Sequence, residues 1–216
     1  MPYFTDMQAR WYFDFVSPYS YLHLKQFGQV ARRLEIEPVP VLFAGLLKAH
    51  GNKGPAEIPA KRVHTYRQCV WTAHQLGIEL RFPPRHPFNP LPYLRLAVAR
   101  GPTLQGVEAI FDLLWMEGRD PDDAATLHAA ANAVGLPEAL PAIGDPAVKA
   151  RLAANTEAAL AAGVFGVPTM EVAGERFWGS DAIPMMNAYL DDARLFARGE
   201  MARVAGLPYG ATRKGS

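Results

Sequence analysis

The sequence predicts an α/β fold in which a β-α-β unit and a β-β-α unit flank a long, all-helical insertion. Three observations carry this expectation. An aromatic and β-branched strand signal, Arg10 to Val16, turns directly into a helical pattern at Ser17-Pro18. The stretch from about Ala60 to Gly163 reads as helix almost throughout, with one proline-dense interruption. Beyond Gly163 strand character returns as two short runs around Ala173-Gly174, followed by one more helix.

In order, the first strand (β1, Arg10 to Val16) leads into a helix in which Tyr21, Leu22, Leu24, Phe27, Val30, Ala31 and Leu34 recur at helical spacing. Ser17 stands at its N-cap and Pro18 at N1, where a missing N–H costs nothing. A second strand (β2, Glu37 to Phe43) carries Pro38 and Pro40, which suit a strand start or a sheet edge. A Gly/Pro-punctuated loop over 51–59 follows, and a helix from about Ala60 to Leu76 closes on Gly77, a C-cap residue. The segment Phe82 to Pro90 is too rigid and donor-poor for helix. Helices resume over about 91–100, 104–117, 122–134 and 147–162, the last two started by Asp120-Pro121 and Asp145-Pro146. The runs Val167 to Val172 (β3) and Glu175 to Trp178 (β4) read as an antiparallel hairpin, and a helix follows over about 183–196. This order is that of a thioredoxin-like fold with an all-helical subdomain inserted between β2 and β3. The core is expected over 8–58 and 163–200 and the insertion over about 60–162, in one domain spanning 1–216.

Composition narrows the function. Of 216 residues half are apolar, so the chain can bury a full core, and the net charge of +1 with no Lys/Arg block argues against a nucleic-acid surface. No apolar run approaches the roughly 20 residues that span a bilayer. The first ten residues contain Asp6 and lack a basic-then-apolar leader pattern, so the expected location is the cytoplasm. The single cysteine, Cys69, excludes an internal disulfide and a multi-cysteine metal site. No metal is expected.

The chemistry concentrates at Ser17-Pro18-Tyr19-Ser20. Thioredoxin-like proteins place a C-x-x-C pair at such a strand-to-helix turn, and here serines hold both cysteine positions. Dithiol redox chemistry is therefore excluded at this turn. An anion beside Ser17 would meet backbone N–H groups and the positive end of a helix, and a thiolate is such an anion. The sulfur is expected to arrive with a cofactor. The plainer alternative is that Ser17 only caps a helix.

Four motifs in order, Phe13-Asp14-Phe15-Val16-Ser17-Pro18-Tyr19-Ser20-Tyr21, Gly51-Asn52-Lys53, Gly163 to Thr169 and Phe177-Trp178-Gly179-Ser180-Asp181, resemble the 2-hydroxychromene-2-carboxylate isomerase family. That family is glutathione-dependent and related to kappa-class glutathione transferases and DsbA-like proteins. The resemblance implies glutathione as cofactor. Ser17 would donate to its sulfur, a cis Pro168 would leave the backbone of Val167 to pair with the tripeptide, and Ser180-Asp181 would take the γ-glutamyl end. Lys61 would lie near the glycyl carboxylate, with Asn52 also on the glutathione side. Either Ser180 or Asp181 is expected to cap the final helix.

A small aromatic carboxylate substrate needs a cation and an amide or hydroxyl donor, and Asn52, Lys53 and Arg85 are the candidates, with His86 an acid or base ranked below Arg85. The alternative for Arg85 is stabilisation of its own loop. Tyr66, Trp71, Trp115, Met185 and Met186 read as core, Cys69 as a buried helix residue, and His64 and His74 lie too far apart for a metal. The resemblance further implies interconversion of 2-hydroxychromene-2-carboxylate and trans-o-hydroxybenzylidenepyruvate in aromatic catabolism, by a homodimer. A kappa-like transferase and a non-catalytic thioredoxin-like binding module are the rival readings.

Overall fold

The computed structural model describes residues 7–30 and 32–211, with backbone only at 139 and 140. Ala31 and the residues up to Asp6, read above for helix and for targeting, lie outside the described residues. One compact unit reaches to Asp181 and a second begins at Ala182.

The first unit is built on a mixed sheet of order β2-β1-β3-β4. Strand β1 (Met7–Phe13) pairs in parallel with β2 (Leu34–Pro40) and antiparallel with β3 (Thr169–Val172), which continues into β4 (Glu175–Trp178). The edge position of β2 answers its prolines, since an edge strand can lack ladder donors on one side. Strands β1 and β2 each start three residues earlier than the sequence pattern suggested, and β3 starts two residues later, at Thr169.

The helices of the first unit are α1 (Pro18–Leu24), α2 (Phe43–Ala49), α3 (Pro59–Leu76), α4 (Leu91–Arg100), α5 (Leu104–Phe111), α6 (Ala124–Ala133), α7 (Ala139–Gly144) and α8 (Pro146–Ala161). Helix α3 ends where expected, with Gly77 left-handed at φ +66°. The first helix does not. It stops at Leu24, a 3-10 turn occupies Phe27–Gln29, and Leu34 already opens β2. Helix α5 widens into a π turn over Asp112–Met116 instead of continuing regularly to 117. Helices α2 and α7 have no counterpart in the sequence reading.

Two apolar layers sandwich the sheet. On one face Trp11 stacks on Phe13, Phe13 meets Phe15 edge to face, and Phe15 meets Phe111 of α5, with ring centroids 4.5 Å, 5.3 Å and 4.7 Å apart in turn. On the other face Tyr12 packs with Val41, Leu46, Ala159, Val164 and Val167, bringing α2 and α8 against the strands. Burying rings of this size is worth about 1.5–3 kcal/mol each, so this layering fixes where the C-terminal end of β1 emerges.

The second unit holds α9 (Ile183–Asp191), a 3-10 turn at Leu195–Ala197 and α10 (Gly199–Val204). Its first helix is five residues shorter than the expected 183–196. Its N-cap is Ala182 and carries no side-chain bond, so neither Ser180 nor Asp181 caps it.

Candidate active site

The turn after β1 is held from several directions. Asp14 is fully buried, and its carboxylate accepts from Val16 N–H at 3.0 Å and from Phe43 N–H at 2.9 Å. It therefore ties this turn to the first residue of α2, whose own N-cap, Leu42, supplies no side-chain acceptor. Burial pushes the Asp14 carboxyl up to about 7, against the pull of the two N–H bonds. From the helical insertion, Trp115 Nε1–H donates to Phe15 O at 2.8 Å and the His86 imidazole meets Val16 O at 2.8 Å. Ser17 N–H donates to Asp14 O at 3.1 Å. Every backbone group from Phe15 O to Ser17 N–H thus has a partner.

Ser17 caps α1. Its Oγ accepts from Ser20 N–H at 3.2 Å, which uses one lone pair and leaves the hydroxyl hydrogen free to donate. The first turn is less open than the sequence suggested. Pro18 has no N–H, Ser20 and Tyr21 bond back to Ser17 O, and only Tyr19 N–H has no partner among the described residues. With seven residues in α1 the dipole is also weaker than a helix running to Leu34 would supply.

The register Tyr12↔Thr169 brings the start of β3 beside the end of β1, so Val167-Pro168 lies next to the Asp14–Ser17 turn. The Val167–Pro168 bond is cis, as is His86–Pro87. No described residue hydrogen-bonds to Val167 N–H or C=O. Pro168 O accepts from Gly179 N–H at 2.9 Å, which joins this segment to the loop carrying Ser180 and Asp181. Ser180 is buried, and its carbonyl accepts from Gln26 Nε2 at 3.1 Å. Asp181 is exposed and bears on Tyr19: burial, the Cys69 thiol and this carboxylate all hold the Tyr19 phenol above its ordinary range. Cys69 is buried, as expected, with its thiol pushed up to about 12. Phe165 and Trp178 form an exposed edge-to-face pair, centroids 5.2 Å apart, flanking Val167 and Gly179.

Ser17, Val167, Pro168, Ser180 and Asp181 therefore share one end of the sheet. Asn52 and Lys53 sit exposed on the loop after α2, and Lys61 is exposed in the first turn of α3; no described hydrogen bond or ion pair joins their side chains to Ser17. Arg85 makes contacts of the kind that would stabilise its own loop. Its guanidinium pairs with Asp120 at 2.7 Å and Asp122 at 3.4 Å, so its charge is already balanced within the insertion. Because that pair is exposed, Arg85→Ala is expected to lower stability by no more than about 1 kcal/mol, read as a small drop in Tm.

Asp14, Tyr19, Tyr66 and Trp115 had no site role in the sequence reading. One signal was present: Asp14 interrupts an aromatic run as a lone carboxylate. Among the described residues no group of His, Cys, Asp and Glu could hold a metal, and no helix is long and apolar enough to cross a membrane.

A thioredoxin-type sheet, a helical insertion between β2 and β3 and a serine pair in place of a dithiol define a DsbA-like protein without its redox pair. The DSBA-like thioredoxin domain family matches residues 10–191. A 2-hydroxychromene-2-carboxylate isomerase of Sphingobium xenophagum is 32% identical over 192 residues, covering 84% of this chain and 96% of the relative. Human glutathione S-transferase kappa 1 is 26% identical over 196 residues, covering 81% and 87%. A solved 2-hydroxychromene-2-carboxylate isomerase superposes with a TM-score of 0.76 at 25% identity, covering 88% of this chain and 98% of that one. The chain belongs to the 2-hydroxychromene-2-carboxylate isomerase family of DsbA-like thioredoxin proteins, whose relatives include both isomerases and glutathione transferases.

Proposed function

We propose that the protein is a glutathione-dependent isomerase that interconverts 2-hydroxychromene-2-carboxylate and trans-o-hydroxybenzylidenepyruvate. The observation that carries this reading is the backbone of Val167, unpaired on both its N–H and its C=O and lying beside the Ser17 turn. An extended peptide can pair with such an open backbone segment ahead of β3, and the residues around it suit glutathione. Ser17 Oγ–H and Tyr19 N–H would hold the cysteinyl sulfur, Asp181 would pair with the γ-glutamyl ammonium beside Ser180, and Lys61 would take the glycyl carboxylate. Glutathione, when bound, supplies a sulfur nucleophile that adds reversibly to the conjugated carbon of the substrate and permits rotation about the former double bond.

The protein's part is electrostatic. Ser17 holds a developing sulfur anion by a charge-assisted hydrogen bond, roughly twice as strong as a neutral one. Asn52 and Lys53 take the substrate carboxylate. Lys53 has no described ion pair, whereas the Arg85 charge is engaged by Asp120 and Asp122. The reading is completed by a homodimer in the cytoplasm; the exposed Val63, Val70 and Trp71 of α3 support a partner surface.

Calorimetry tests the cofactor. Glutathione should bind once per chain, and Gly179→Ala should weaken binding by about tenfold, the worth of roughly one hydrogen bond. A Cβ on Gly179 would stand 2.4 Å from Asp181 Oδ1 on a backbone at φ +100°, so Asp181 must shift. No heat of binding to the wild-type chain would overturn the reading.

A further inference from the structure

His86 stands where the helical insertion meets the Ser17 turn, on the proline-stiffened segment between α3 and α4. Its Nε2 is 2.8 Å from Val16 O and its Nδ1 is 2.7 Å from the Tyr66 hydroxyl. A carbonyl oxygen only accepts, so Nε2 carries a proton. In the neutral ring Nδ1 then accepts the Tyr66 O–H, which fixes the tautomer. The same hydroxyl lies 2.8 Å from the carbonyl of His86 itself. A protonated ring would donate to Tyr66, which would turn its own proton to that carbonyl. In both arrangements Nε2–H stays on Val16 O.

The surroundings favour the neutral form. Phe82, Phe88 and Trp115 surround the imidazole at centroid distances of 5.9, 6.2 and 5.4 Å. Burial and the charge of Arg62 on α3 oppose protonation, and only the Val16 carbonyl favours it. Tyr66 is the other titratable group in contact, and its phenol is held above its ordinary range.

We propose that His86 is a positioning residue: by its bond to Val16 O it fixes the peptide that leads into Ser17, and so sets how well Ser17 and Tyr19 N–H stabilise an anionic sulfur. The inference rests on the glutathione reading. Without His86, the Val16–Ser17 peptide would keep Ser17 N–H on Asp14 O and lose its hold on Val16 O. The planar peptide keeps its direction, and the carbonyl, no longer neutralised by a donor, would add an unbalanced negative end to the turn that is to accept an anion. Neither Arg85 next to it nor a general acid/base role for the imidazole is needed.

The test follows ionisation of the thiol of bound glutathione by its thiolate ultraviolet absorbance across a pH titration of the full chain. His86→Phe is expected to raise the midpoint so that thiolate at neutral pH falls about tenfold, the loss of roughly one hydrogen bond. Glutathione affinity measured below the midpoint should change less than about twofold, because the open backbone at Val167 is untouched. His86→Gln places an amide N–H near the Nε2 position and should restore the titration, His86→Asn should not, and Tyr66→Phe, which frees the tautomer, should fall between. An unchanged midpoint in His86→Phe, or Gln no better than Asn, overturns the proposal. Should His86→Phe not fold, the Gln, Asn and Tyr66→Phe series decides alone. A wild-type chain that binds glutathione without thiolate absorbance overturns the glutathione chemistry together with this inference, and is distinguished by the wild-type trace.

Discussion

Ser17→Ala is expected to lower glutathione-dependent turnover by about tenfold to a thousandfold, or roughly 1.4–4 kcal/mol of transition-state stabilisation. The hydroxyl keeps its proton available as a donor, because Ser20 N–H at 3.2 Å occupies only an acceptor lone pair. The same substitution removes the cap of α1 and should lower stability by about 0.5–2 kcal/mol, so activity and Tm must be read together. Ser17→Gly separates the two effects. Glycine caps a helix within a few tenths of a kcal/mol of serine and lacks the hydroxyl, so it should lose turnover like alanine while keeping most of the stability. Unchanged turnover in both variants would remove Ser17 from the chemistry.

The second large effect concerns stability against pH. Two buried groups titrate in opposite senses. His23 packs on Trp11 and Phe27 with centroid distances of 6.3 and 5.2 Å, neither ring nitrogen has a partner among the described residues, and burial pulls its pKa down to about 3. An unfolded histidine titrates near 6.5, so the unfolded chain takes up the proton first and stability is lost as pH falls from about 6.5 towards 3, by on the order of 5 kcal/mol. Asp14 behaves conversely. Its folded value of about 7 lies above the unfolded value near 3.9, so the folded state keeps the proton longer. Stability is then lost as pH rises from about 4 to 7, by on the order of 4 kcal/mol.

Between about pH 4 and 6.5 the two slopes oppose each other, and variants should separate them. His23→Leu should raise stability at pH 4 by about 3 kcal/mol, a Tm gain of roughly 6–12 °C for a chain of this size, and expose the falling limb of Asp14. Asp14→Asn should expose the rising limb of His23. Parallel Tm-against-pH curves for wild type and His23→Leu would contradict this assignment.

How much of this was legible in the sequence depended on whether the cause was local. The prolines at 38 and 40 announced a strand start or an edge, of which the edge holds, Gly77 announced a helix end, and Ala173-Gly174 announced the β3–β4 hairpin; all three act within a few residues of themselves. Helix α2 was invisible because its cap is not local. Phe43 N–H is satisfied by Asp14, 29 residues earlier, and Leu42 gives no start signal. Helix α1 was overextended for a related reason. Phe27, Val30 and Leu34 are all buried, so helical spacing persists through a 3-10 turn and into a strand. The same limit governed the site. Ser17, Val167, Pro168, Ser180 and Asp181 could be proposed from short motifs, whereas the grip of His86, Tyr66 and Trp115 on the turn spans up to 100 residues and needed the fold. Arg85 shows the same limit from the other side: a cation on a stiff loop suggests a ligand clamp, and its ion partners Asp120 and Asp122, 35 and 37 residues away, become visible only in the fold.

The most direct test of the central claim counts glutathione. With a chromene carboxylate or trans-o-hydroxybenzylidenepyruvate in large excess over glutathione, the wild-type chain should bring the two isomers to equilibrium while the free thiol concentration, measured before and after, stays constant. No conversion without glutathione, and full conversion with a small amount of it, is the predicted result. Conversion that stops once each glutathione has been consumed would make the protein a transferase, and conversion at the same rate with no glutathione present would contradict the account outright.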